Sequence, residues 1–152
     1  MDDKRLMEKA VKQAYKALER NEIPIGALLV DSEGNILAQG YNQVEKKQSQ
    51  LAHAEMIVLH KATKKINNWR LMGATLYVTL QPCMMCLGAL YLSRVSRIVY
   101  GVDSPKFGIS CDKAVISGIY KNLSLSIECM EYKEAGDILR NFFQKKRSMK
   151  RV

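Results

Sequence analysis

The sequence predicts an α/β fold in which helices cover a mixed central sheet of about five strands. Short apolar or β-branched runs at 25–30, 36–41, 75–80, 97–102 and 124–129 have strand length. Segments with apolar residues at helical spacing lie between and around them. The first two runs are separated only by turn residues, so they form a hairpin; strands joined through helices make the remainder, and the sheet is mixed rather than purely parallel.

The elements follow in order. Leu6, Ala10, Ala14, Ala17 and Leu18 fall on one face of a helix over 3–20, with Asp2 or Asp3 available as its cap. Glu22-Ile23-Pro24 ends it, and the apolar run Ile25–Val30 follows as a strand. Asp31-Ser32-Glu33-Gly34-Asn35 is turn chemistry, after which Ile36–Tyr41 returns. A polar loop over 42–50 leads into a helix from His53 to Lys65, whose Met56, Leu59 and Ala62, with Ile66, keep the helical period. Thr75–Leu80 is a strand; Cys83–Leu92, apolar and proline-free after Pro82, reads as a largely buried helix. Arg97–Val102 and Ser124–Cys129 are further strands, and Glu134–Arg147 is a terminal helix.

At 152 residues, with roughly 100–200 residues expected per domain, the chain reads as one domain over 1–152. Its 47 % hydrophobic and 26 % charged composition is that of an ordinary globular protein. No apolar run approaches the roughly 18 residues that would span a bilayer, so no membrane partner is expected. Met1-Asp2-Asp3-Lys4-Arg5 opens no apolar signal-peptide core, which points to the cytoplasm. The net charge of +9 is uneven: residues 141–152 carry Lys145, Lys146, Arg147, Lys150 and Arg151 and no acid, a basic tail that suits a polyanionic partner or simple solvation.

The four cysteines are Cys83, Cys86, Cys111 and Cys129. In a reducing compartment a Cys-x-x-Cys pair reads as metal-binding or redox-active rather than as a disulfide. With Pro82 at a helix entry, Cys83 and Cys86 fall three apart on one face of the first turn, where the helix dipole favours thiolate. Zinc suits this ligand set. With His53 added, three ligands leave a fourth tetrahedral position open, the pattern of a catalytic site. Water held there becomes a nucleophile near neutral pH, and Glu55 is the candidate to move its protons. Residues i and i+2 of a regular helix point to nearly opposite sides, so the spacing of His53 and Glu55 does not by itself aim both at one point. A redox or purely structural zinc role for the cysteine pair stays open from spacing alone. His60 reads as a surface or packing residue, Cys111 and Cys129 as buried thiols, and Met84-Met85 as core filling.

His-x-Glu about thirty residues before Pro-Cys-x-x-Cys resembles the zinc-dependent nucleobase deaminases of the cytidine/deoxycytidylate deaminase superfamily. The flanking segments are most similar to the bacterial tRNA-specific adenosine deaminases: Glu22-Ile23-Pro24-Ile25-Gly26-Ala27, Gly40-Tyr41-Asn42, Trp69-Arg70-Leu71, Ala74–Leu80, Pro82–Ala89, Val99-Tyr100-Gly101, Lys106, Gly108 and Phe142-Phe143. The likeness covers nearly the whole chain. It implies a three-layer α/β/α arrangement, a homodimer, one Zn2+ per subunit held by His53, Cys83 and Cys86, and Glu55 as proton shuttle. It further implies that Asn42 and Ile23 meet the flipped nucleotide and that the Ala54 and Cys83 amides lie near the attacking oxygen. Ser104, Lys106, Phe142, Phe143, Lys145, Lys146 and Arg147 fall at substrate-contact positions. Two positions depart from the pattern: Gln81 stands where relatives have Glu, and Ser104 where they have Asp.

The resemblance implies adenosine-to-inosine conversion at the wobble position of a tRNA anticodon. A deaminase of a free guanine or cytosine base or nucleoside would use the same ligands and glutamate without needing a basic aromatic tail. A non-catalytic zinc-stabilised RNA-binding module would have no use for Glu55.

Overall fold

The computed structural model describes residues 1–106, 108 and 124–150. Helix α1 (Asp3–Glu19) starts where the Asp2 carboxylate accepts the Arg5 amide at 3.1 Å. Strands β1 (Gly26–Val30) and β2 (Ile36–Tyr41) form the expected hairpin. In its turn, the Asp31 carboxylate accepts the Glu33 and Asn35 amides at 2.9 Å, while Gly34 supplies a φ of 87°. The short helix α2 (Val44–Lys47) and a 3-10 turn at Gln50–Ala52 precede α3 (Ala54–Ile66). Then come β3 (Thr75–Val78), α4 (Met84–Leu92), β4 (Arg97–Tyr100), β5 (Ser126–Cys129) and α5 (Lys133–Met149).

The sheet order is β2-β1-β3-β4-β5, with β1 antiparallel to both neighbours and β3, β4 and β5 parallel. Alternation of side chains divides the core into two halves. Leu28, Val30, Tyr77 and Val99 face Leu6, Met7 and Ala10 of α1. Ala27, Leu29, Leu76, Val78 and Ile98 face Val58 and Ala62 of α3 and Leu87 and Leu90 of α4. Because both faces are covered, all of β1 is buried, and its sequence is a continuous apolar run rather than an alternating one. Helix α1 lies so close to β1 that a Cβ on Gly26 would stand 2.0 Å from the Ala10 carbonyl oxygen. Helix α5 packs beside α1, where the Tyr15 hydroxyl donates to Glu134 at 2.8 Å.

One ionic knot crosses three elements. The Arg97 guanidinium on β4 holds Asp3 of α1 at 2.7 Å and Glu128 of β5 at 2.8 Å. The Tyr77 hydroxyl donates to the same Asp3 at 2.5 Å.

Three expectations need correction. The polar loop over 42–50 contains the short helix α2, held through its amides rather than by an apolar face. Cys129 is exposed, not buried, because β5 is the last strand in the sheet order and leaves most of its residues open. Helix α4 buries Cys86, Leu87 and Leu90 but leaves Met84 and Leu92 exposed, so Met84 does not fill the core. His60 is exposed, as expected. The reading of Cys111 lies outside the described residues. Among the described residues, no helix is long and apolar enough to cross a membrane.

Candidate active site

The sheet gathers the chemistry at one end. Gly26 at the start of β1 pairs with Tyr41 at the end of β2, and Ala27 pairs with Val78 at the end of β3. Val78 in turn lies beside Tyr100 at the end of β4. The segments carrying Ile23, Asn42, Cys83 and Ser104 therefore leave the sheet at its same edge.

Two helix N-termini meet there. His53 is the N-cap of α3 and Cys83 the N-cap of α4, both in extended conformation. The partial positive charge at each helix start favours thiolate and carboxylate. His53, at φ −61° and ψ 148°, lies outside the helical repeat, whereas Glu55 is inside it. That break removes the opposition expected for residues two apart on a regular helix.

His53 Nδ1 lies 3.6 Å from Cys83 Sγ and 3.4 Å from Cys86 Sγ. Among the described residues, these three form a group able to hold a metal ion, their ligand atoms all within 4.8 Å of one another. Tetrahedral zinc with bonds of about 2.0–2.3 Å separates an imidazole nitrogen from a thiolate sulfur by about 3.5 Å, and the donor set meets that spacing. The other ring nitrogen, Nε2, lies 3.2 Å from Gln50 Oε1, an acceptor. Gln50 thus selects the tautomer protonated on Nε2 and leaves Nδ1 to face the sulfurs.

The electrostatics match that arrangement. Cys83 is drawn down to about 4, chiefly by the hydrogen bond from Cys86 and also by His53. Cys86 is pushed up, as the proton-bearing partner of Cys83 and by burial. The hydrogen bond to Cys83 raises His53. Glu55 is only 5 % exposed, and burial pushes its carboxyl up to about 7. A group near neutrality can both take and return a proton at physiological pH.

The surrounding residues divide into those brought to this end and those that are not. Asn42 is buried; its side-chain amide donates to the Ile23 carbonyl at 3.3 Å and its backbone amide to Ile25 at 3.0 Å, which locks these two wall segments together. Ala54 is buried as the first residue of α3. Ser104 is half-buried and Lys106 exposed, on the turn beyond β4. By contrast, Phe142, Phe143, Lys145, Lys146 and Arg147 belong to α5, which packs beside α1, on the other face of the sheet from α3 and α4. There Phe142 is buried with Lys146 over its ring at 5.2 Å, while Phe143 and the three cations are exposed.

Sequence reasoning missed Gln50 and Glu22. Glu22 is 1 % exposed, and its two carboxylate oxygens accept the Glu45 and Lys46 amides at 2.8 and 2.9 Å. It thereby clamps α2 next to Ile23 and Asn42. A carboxylate beside Ile23 was the only signal, since its partners are backbone groups.

The family model of the MafB19-like deaminases matches residues 1–147. A tRNA-specific adenosine deaminase of Bacillus subtilis (strain 168) is 41 % identical over 154 residues, covering 99 % of this chain and 94 % of that protein. A solved structure from studies of A-to-I editing by tRNA:A34 deaminases at the wobble position of transfer RNA is similar at a TM-score of 0.78 and 34 % identity, covering 90 % of this chain and 99 % of that one. A guanine deaminase structure from Bacillus subtilis is similar at a lower TM-score of 0.65 and 26 % identity, covering 95 % of both chains. A match from residue 1 to residue 147, joined by 41 % identity to a relative over 99 % of the chain, makes this protein a member of the MafB19-like deaminase family.

Proposed function

We propose that this chain hydrolyses adenosine to inosine at the wobble position of a tRNA anticodon. The observation that carries the chemistry is Glu55: a buried carboxyl held near neutrality beside the His53, Cys83 and Cys86 donor set. Those three residues would hold zinc, which when bound supplies a water acidified toward neutrality. The remaining work belongs to the chain. Glu55 accepts a proton from the attacking water, delivers it to the adenine ring nitrogen, and assists departure of the amino group from C6 as ammonia. Oxygen is added and ammonia leaves, with no oxidant required. In this reading Asn42 and Ile23 support the extruded nucleotide, and the Ala54 and Cys83 amides, at the starts of two helices, would donate to the oxygen that develops.

The substrate half of this reading is supported by the identity to tRNA deaminases over nearly the whole chain and by the exposed cations of α5. Lys145, Lys146 and Arg147 suit phosphates, and exposed Phe143 suits a splayed base. A tRNA substrate places the enzyme in the cytoplasm, acting as one domain over 1–152. A homodimer is supported by α4: nine residues without a single charge, yet with Met84 and Leu92 in solvent. A helix apolar all round is ordinarily covered, and we assign a second copy of this chain as its cover.

The test is inosine formation by zinc-loaded protein on a transcribed tRNA with adenosine at the wobble position, beside an anticodon-loop mutant and the free bases and nucleosides. Inosine only in the intact tRNA is expected. Ammonia released from free guanine or cytosine instead would overturn the RNA half and keep the deaminase chemistry.

A further inference from the structure

The side chain of Gln81 sits outside the donor set, yet it joins the two segments that close the site. It is buried, and its backbone amide donates to the Val102 carbonyl at 2.9 Å. Its side-chain carbonyl Oε1 accepts the Ser104 amide at 3.0 Å. The Ser104 carbonyl then accepts the Gly108 amide at 2.9 Å, so Ser104 is tied both to the Gln81 side chain and to Gly108. Gly108 forms an antiparallel bridge with Cys83. The fit leaves no room for a side chain, since a Cβ on Gly108 would stand 2.2 Å from Gln81 Oε1 and 2.7 Å from the Ser104 carbonyl oxygen. At the entry to the turn, the Tyr100 hydroxyl donates to Asp103 at 2.9 Å.

We propose that Gln81 is a positioning residue for substrate: its side chain sets the turn bearing Ser104 and Lys106 at a fixed height above the Cys83 end of α4. The hydrogen bond to Ser104 ties that turn, through a side chain, to the segment between β3 and α4. A backbone turn left without it can rise from the sheet end while Tyr100 and Asp103 keep its base in place. Gln81 lies outside the His53, Cys83 and Cys86 donor set. It acts through the turn, so its loss should weaken substrate capture and spare the chemical step. The substrate part of this assignment rests on the proposed tRNA reading; the clasp itself does not.

The experiment uses the full-length zinc-loaded protein, wild type and Gln81→Ala, Gln81→Glu and Gly108→Ala. Three quantities are read: amide hydrogen exchange at Ser104 and Gly108, metal content, and kcat and KM on an anticodon stem-loop containing the wobble adenosine. Gln81→Ala should speed exchange at both amides and raise KM roughly tenfold, the size of one lost buried hydrogen bond, with metal content and kcat unchanged. Gln81→Glu, which keeps a side-chain oxygen for Ser104, should restore both exchange and KM. Gly108→Ala, which forces the turn off Gln81, should reproduce the alanine result, and it decides the question if Gln81→Ala fails to fold. Unchanged exchange at Ser104 in both disrupting variants overturns the clasp. A fall in kcat or metal content at constant KM, or a Glu variant no better than Ala, overturns the positioning role. Wild-type inactivity on the stem-loop sinks the tRNA reading instead, and the exchange data still decide the clasp.

Discussion

Glu55 is a carboxyl in a place where burial alone would keep it neutral, set against the helix start and the histidine that favour its charged form. Replacing it with alanine should lower turnover by at least about 10²–10⁴-fold, the usual worth of a positioned acid–base group, while zinc content stays at the wild-type level. Loss of metal together with activity would make Glu55 a structural support instead. Glu22 tests a different kind of residue. The buried Glu22 carboxylate accepts two backbone amides of α2, so Glu22→Ala removes both hydrogen bonds and should cost about 1–3 kcal/mol in urea unfolding, at about 0.5–1.5 kcal/mol for each bond. The same variant should raise KM for the stem-loop, because α2 adjoins Asn42 and Ile23. Such residues escape sequence reading for a plain reason. The Cys-x-x-Cys pair and His-Ala-Glu announce themselves by residue type and spacing, whereas Glu22, Gln50 and Gln81 acquire meaning from groups that only the folded chain brings near.

At the level of elements, periodicity was a reliable guide to type and a poorer one to environment. All the expected strands and helices within the described residues are present, with ends shifted by a few residues. Which face of a helix is covered was harder to read. Met84 looks like a core residue by composition and stands 67 % exposed, while Phe142 looks like an RNA contact and is 8 % exposed. Two neighbouring positions on a helix differ in direction by about 100°, so an apolar pair such as Phe142-Phe143 places one ring inward and one outward. The knot at Arg97 makes a prediction on this scale. Asp3 is held down at about 2, first by its hydrogen bond from Arg97, against an ordinary value of 3.8. A depressed carboxyl stabilises the fold above its unfolded value and loses that contribution as pH falls through 4 toward 2. The link between α1, β4 and β5 is thus worth about 1–2 kcal/mol at neutral pH after allowance for its partial exposure. Asp3→Asn should lower stability at pH 7 by that amount and flatten the acid limb of the stability curve between pH 4 and 2. Parallel acid limbs for the two proteins would remove Asp3 from the account.

For the whole molecule, charge and the bare flank of α4 carry the predictions. Lys145, Lys146 and Arg147 lie on the exposed side of α5, but the helix also buries Ile138, Leu139 and Phe142. Deleting 141–152 would therefore disturb the core, and substitution is the cleaner test. Alanine at the three cations should weaken stem-loop binding and reduce the steepness of its salt dependence by about 0.7–0.9 for each phosphate no longer neutralised. An unchanged salt slope would show that α5 is merely solvated. Leu92→Glu on α4 should convert a dimer to a monomer in light scattering without loss of the folded circular dichroism spectrum. A wild-type monomer at micromolar concentration would remove the second copy from the picture.

The first three residues also bear on how the protein can be handled. Asp2 begins α1 through its carboxylate, and Asp3 closes the knot with Arg97 and Tyr77 one residue later. An affinity tag joined ahead of Met1 leaves both anchors in place. A trimmed expression version beginning at Lys4 would lose both, fraying the helix that seals one side of β1 at a distance from every residue of the site. Poor yield or early melting of such a product would then report a damaged scaffold and say nothing about catalysis.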